Sequence, residues 1–67
     1  ETLRTVHRLT AREVEVARLL ADGLSNDELA ARLRTSPNTA RRHTQSVLSK
    51  LNVTSRARVG AVLRAES

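Results

Sequence analysis

The sequence predicts an all-α fold, a four-helix bundle that contains a helix-turn-helix. Three observations carry this. The 67 residues include no Phe, Trp, Tyr, Met or Cys, so the core has to be assembled from Leu, Val and Ala, and Leu and Ala are strong helix formers. Apolar residues recur at intervals of three and four rather than alternating. Helix-start signals stand at Thr10, Ser25, Ser36 and Ser55. A chain this short holds one domain and must place nearly every apolar side chain in one core.

Residues 1–8 show no clear period and read as a linker end. The domain is expected over residues 9–65, with 66–67 as a tail. Thr10 and Glu13 are spaced as a capping box, in which each side chain satisfies a free backbone N–H of the first turn. Leu9 before the cap is placed to staple to Val14. Val14, Ala17, Leu20 and Ala21 form one apolar face, and Gly23 fits the left-handed position that ends a helix. The first helix is therefore expected over about 11–22. Ser25 and Glu28 repeat the box and open a short helix, about 26–33, with Leu29, Ala30 and Leu33 inward. Ser36 caps the third, about 37–51, with Pro37 at the first helical position, where its missing N–H costs nothing. Ala40, Thr44, Val47, Leu48 and Leu51 share its inner face. Asn52-Val53-Thr54 breaks it. Ser55 is expected to cap a fourth helix, about 56–65, with Val59, Val62 and Leu63 inward.

The caps at Ser25 and Ser36 lie eleven residues apart. That leaves two turns of helix and a tight connection, the proportion of a helix-turn-helix. Charge supports a matching partner. The net charge is +5, and no acid occurs between Leu29 and Ala65, while five of the seven acids fall between residues 13 and 28. Such asymmetry suits an anionic partner on one side of the fold. On the third helix, Asn38, Arg41, Arg42, Gln45 and Ser49 lie opposite the buried set. Arginine pairs bidentately with guanine, and Asn or Gln can do so with adenine. The capped N-terminus at Ser36 and Pro37 is where a phosphate can lie. The plainer alternatives are that Arg41 and Arg42 are solubility charges and that His43, at the border of the buried face, is a packed histidine.

Other classes are poorly supported. There is no cysteine, and His7 and His43 lie 36 residues apart, so neither a thiolate nucleophile nor a metal site is expected. No cofactor is implied, and the absence of a nucleophile–base pair argues against an enzyme. No apolar run approaches the roughly 20 residues needed to span a bilayer, and ETLRTVHRLT has no signal-peptide core. A cytoplasmic protein with no membrane partner is expected, and a chain opening at Glu1 reads as a piece of something longer.

The segment LTAREVEVARLLADGLSNDELAARLRTSPNTARRHTQSVLSKLNVTSR resembles the LuxR/FixJ/NarL-type (GerE-like) helix-turn-helix. The matching positions include Leu9-Thr10, Arg12-Glu13, Leu19-Leu20-Ala21, Gly23, Ser25-Asn26, Glu28-Leu29-Ala30, Ser36, Thr39, His43, Lys50-Leu51, Val53 and Arg56. The resemblance implies the C-terminal DNA-binding output domain of a bacterial transcription regulator, whose third helix enters the major groove of double-stranded DNA. It assigns base contacts to Arg41, Arg42 and Gln45. It assigns phosphate contacts to Asn26, Ser36, Asn38, Thr39, His43 and Lys50. It implies a homodimer through the fourth helix at Arg58, Val59, Val62 and Leu63, with RNA polymerase as a further partner. Asp27, Ala40, Gln45, Arg58 and Gly60 depart from residues frequent in the family. Asp27 in particular stands where a phosphate-binding Lys is common. Two other readings remain: a degenerate helix-turn-helix that binds a protein, and region 4 of a sigma factor, which lacks a capped fourth helix.

Overall fold

The computed structural model describes residues 7–66, with side chains through residue 65. Most of the expected linker end and Ser67 of the expected tail lie outside the described residues. From residue 11 on, four helices follow in order among the described residues: α1 (Ala11–Ala21), α2 (Asn26–Leu33), α3 (Pro37–Leu51) and α4 (Ala57–Glu66). No strand occurs among the described residues.

Local chemistry sets most of the boundaries. Thr10 Oγ1 accepts from the Glu13 N–H at 3.1 Å, and Glu13 Oε1 accepts from the Thr10 N–H at 2.9 Å. Ser25 and Glu28 repeat the reciprocal pair at 3.2 and 2.9 Å. Ser36 Oγ accepts from the Thr39 N–H at 3.1 Å, with Pro37 in the first turn of α3. Each such cap is worth about 1 kcal/mol. The C-terminal ends of α1, α2 and α3 close by one common motif, a backbone bond reaching back five residues. Leu24 N–H donates to Leu19 O (3.4 Å), Thr35 N–H to Ala30 O (2.9 Å) and Val53 N–H to Leu48 O (3.0 Å). Each bond spans a residue at positive φ: Gly23 at 87°, Arg34 at 58° and Asn52 at 58°. This is the Schellman arrangement, which satisfies carbonyls the helix leaves unpaired.

Helices α2 and α3 have the expected bounds. Helix α1 stops one residue earlier than expected, because Asp22 is its C-cap rather than its last turn. Helix α4 begins at Ala57 instead of Arg56 and runs through Glu66, so the expected tail loses one residue to the helix. Its entry is a tight turn: Arg58 N–H donates to Ser55 O and Val59 N–H to Arg56 O, both at 3.1 Å. Ser55 thus enters the turn through its backbone carbonyl.

Helix α1 packs against both α4 and α3, and α2 packs on α3. Being flanked on two sides, α1 buries a wider arc than the single stripe expected for it. Val16 is fully buried beside Val14, Ala17 and Leu20, whereas Ala21, expected inward, is exposed. Leu9 before the cap is buried with Val14, as a hydrophobic staple requires. Leu29, Ala30 and Leu33 of α2, Ala40, Val47 and Leu51 of α3, and Val59 of α4 complete the core. Burying a Leu or Val side chain contributes about 1.5–3 kcal/mol. Thr44 is also buried, and its hydroxyl donates to Ala40 O at 3.0 Å. Gly60 faces α1 closely: a Cβ there would lie 3.9 Å from Ala21 Cα and Cβ.

Candidate nucleic-acid interface

Helices α2 and α3 are joined by three residues, Arg34–Ser36. The left-handed Arg34 turns the chain sharply, and Ser36 restarts it as a capped helix. Ala40, Thr44, Val47 and Leu51 anchor α3 to the core. That anchoring fixes which side chains face out: Asn38, Arg41, Arg42, Gln45 and Ser49 are all exposed, and His43 is half-buried at the border. The three residues expected to contact bases therefore share one outer face, with the expected phosphate contacts Ser36, Asn38 and Thr39 at its N-terminal end.

Several of these side chains already have partners. Arg41 Nη2 donates to Asn38 Oδ1 at 3.0 Å. The Ser36 hydroxyl donates to Thr39 Oγ1 at 3.0 Å, which commits the Ser36 proton and leaves the Thr39 hydroxyl proton available. Asn26 Oδ1 accepts from Arg56 Nη2 at 3.1 Å, a bond that ties the start of α2 to the turn before α4. Arg56 was not assigned a role from sequence, because its partner lies 30 residues away and no local pattern links them. Asn26, Asp27, Pro37, Asn38 and Arg41 line one shallow open groove of about 270 Å³ between the N-terminal ends of α2 and α3.

Lys50 has partners within the chain: Nζ donates to Glu13 Oε1 at 2.7 Å and to the Arg8 carbonyl oxygen at 3.3 Å. Glu13 is a buried carboxylate and needs a compensating cation. Burial pushes the Glu13 pKa up, but hydrogen bonds from Lys50, Ser46 and the Thr10 N–H, with the Lys50 charge, outweigh it and bring it down to about 2. Lys50 thus ties α3 to α1. The Glu13–Ser46–Lys50 cluster is invisible in the sequence, where Glu13 reads fully as a capping residue. Two other acids are also occupied. Glu15 pairs with Arg12 on the exposed side of α1 at 3.3 Å. Glu28 is held below its ordinary pKa by the Ser25 backbone N–H and hydroxyl of its capping box. Asp27 is an exposed carboxylate on the rim of the groove.

One residue of the expected dimer contact requires a correction. Val59 is 0 % exposed within the chain, so it packs the chain's own core and has no surface to offer a second copy. Arg58 is exposed, and Val62 and Leu63 are half-buried at the edge of that core. Among the described residues, no group of three or more His, Cys, Asp or Glu could hold a metal ion. No described helix is long and apolar enough to cross a membrane.

A short helix, a three-residue turn and a longer helix with a basic outer face define a helix-turn-helix of the DNA-binding class. Comparison with known proteins narrows the class to a family. The family model described as "Bacterial regulatory proteins, luxR family" matches residues 7–63, and the chain belongs to that family. It is 48% identical over 55 residues to the nitrate/nitrite response regulator protein NarP of Escherichia coli K12, a match covering 82% of this chain and 25% of NarP. A nitrate/nitrite response regulator protein homolog of Haemophilus influenzae is 50% identical over 48 residues, 72% of this chain and 23% of that protein. The transcriptional regulatory protein DegU of Brevibacillus brevis is 39% identical over 56 residues, 84% of this chain and 24% of DegU. The chain spans about a quarter of the length of these relatives. No solved structure matches it significantly. The family is one of DNA-binding transcription regulators, not an enzyme class.

Proposed function

We propose that this domain binds double-stranded DNA sequence-specifically, as the DNA-binding part of a cytoplasmic transcription regulator. Helix α3 lies in the major groove with Arg41, Arg42 and Gln45 toward base edges. Asn26, Ser36, Thr39 and His43 lie along the phosphates, and α2 crosses the backbone. The observation that carries this reading is the outer face of α3: two exposed arginines and a glutamine sit on a helix whose opposite face is locked into the core. Two copies pair through the α4 surface at Arg58, Val62 and Leu63 and place two such helices on successive half-sites. The test is fluorescence anisotropy with a labelled generic duplex at two salt concentrations. Counterion release predicts affinity that falls steeply as salt rises.

One observation favours a second reading, a protein-interaction module. Asp27 puts a carboxylate on the rim of the very groove that Arg41 lines. If the chain shows no salt-dependent affinity for duplex DNA, that reading replaces the first.

A further inference from the structure

We propose that Asn38 determines specificity through Arg41, and that the two side chains form a donor-presenting unit selecting guanine over adenine. This rests on α3 being the DNA-reading helix. It departs from the expectation that Asn38 touches a phosphate.

The geometry is Arg41 Nη2 donating to Asn38 Oδ1 at 3.0 Å. A guanidinium carries only donors, so the carbonyl end of the amide must face it, which fixes the amide orientation. The bond spans one helical turn, where side chains three residues apart are neighbours, and needs no backbone adjustment. A free asparagine reads adenine by donating to N7 and accepting from the N6 amine. With Oδ1 turned to Arg41, one of its two lone pairs is filled and the carbonyl is held toward the guanidinium, so the amide presents its Nδ2 donors first. Arg41 commits one N–H to the amide and retains the others, enough for O6 and N7 of guanine. Both residues line the groove beside Pro37, and Asn26 at its far side is arranged alike, its Oδ1 engaged by Arg56. The unit thus offers mainly hydrogens to a base edge, and the carbonyl that would receive the adenine amine is turned to Arg41. Asn38 is exposed and its side chain bonds to Arg41, on its own helix, so replacing it probes recognition rather than folding.

The experiment starts with duplexes enriched by this chain from a random library. The base pair whose enrichment changes in Arg41→Ala is then varied through all four pairs. Anisotropy titrations compare the chain as it stands with Asn38→Ala, Arg41→Ala and the double variant, after thermal melts confirm that all are folded. The unsubstituted chain should prefer guanine over adenine by on the order of tenfold. Asn38→Ala should lower that preference severalfold while non-specific affinity and salt slope stay unchanged. Arg41→Ala should free Asn38 Oδ1 and turn the preference toward adenine, and the double variant should show none. Three results overturn the proposal: a preference other than guanine in the unsubstituted chain, no gain for adenine in Arg41→Ala, or a uniform loss for all duplexes in Asn38→Ala, the signature of a phosphate contact. Loss of salt-dependent binding in the unsubstituted chain is distinguishable from these and overturns the DNA reading beneath it.

Discussion

Glu13 Oε1 closes the capping box on Thr10 and also accepts from Lys50 Nζ, 37 residues away. Folding moves this carboxyl from an ordinary value near 4.5 to about 2. Between those values the unfolded chain binds more protons than the folded one, so stability rises with pH. The contribution is full above the ordinary carboxylate range and is lost as pH falls through about 2. Urea midpoints measured from pH 6 down to pH ~2 should fall across this window, and Glu13→Gln should flatten that part of the profile. Lys50→Ala should destabilise the domain by about 1–3 kcal/mol through the lost charged hydrogen bond. It should leave the salt slope of DNA binding close to that of the unsubstituted chain, since the ammonium is already committed. A clearly shallower slope would place Lys50 among the phosphate contacts. Nothing in the local sequence reveals this cluster. A capping glutamate is fully explained by its own helix, and only tertiary packing brings Lys50 and Ser46 to it.

The starts of α1, α2 and α3 were legible because each rests on a Thr or Ser cap within its own few residues. The start of α4 falls one residue later than expected, because a turn through the Ser55 and Arg56 carbonyls sets it. The three closing turns differ in chemistry although they share one geometry. Gly23 adopts its positive φ without a Cβ, while Arg34 holds a side chain in the same region, which costs on the order of 1 kcal/mol. Arg34→Gly should therefore stabilise the domain by about 0.5–1 kcal/mol in chemical denaturation. In α4 the opposite exchange is favourable. Gly60 weakens the helix intrinsically, and an added Cβ would meet Ala21 at 3.9 Å, ordinary contact, and the flexible Arg64 guanidinium at 3.3 Å. Gly60→Ala should stabilise by about 0.5–1 kcal/mol, a rise of roughly 2–8 °C in melting temperature for a domain this size. A fall would show that the α1–α4 crossing has no room to adjust.

At the scale of the whole molecule, a thin core of Leu, Val and Ala holds α3 by its inner face and leaves its outer face free. A 67-residue domain has roughly 3–10 kcal/mol of stability in total. Leu29, fully buried where α2 meets the rest, should cost about 2–5 kcal/mol when cut to Ala and leave much of the population unfolded by circular dichroism. The outer face of α3 was legible from helical period alone, because the buried set at 40, 44, 47 and 51 dictates what lies opposite. The partners that restrain it were not, since the Asn38–Arg41 and Asn26–Arg56 bonds depend on rotamers and on packing between elements. Val59 was legible as an inward residue of α4 from its helical spacing, and its full burial fits that reading and not the dimer contact that the resemblance implied for it. The central claim is that α3 reads DNA through its exposed arginines. The most direct measurement compares the affinity of this chain and of Arg42→Ala for the best duplex enriched from a random library and for a scrambled duplex, across a salt series. The account predicts steep salt dependence for both proteins and a loss of about 1–3 kcal/mol of specific binding in Arg42→Ala, with little change on scrambled DNA. Equal affinity of the two proteins for the enriched duplex, or binding indifferent to salt, would contradict it.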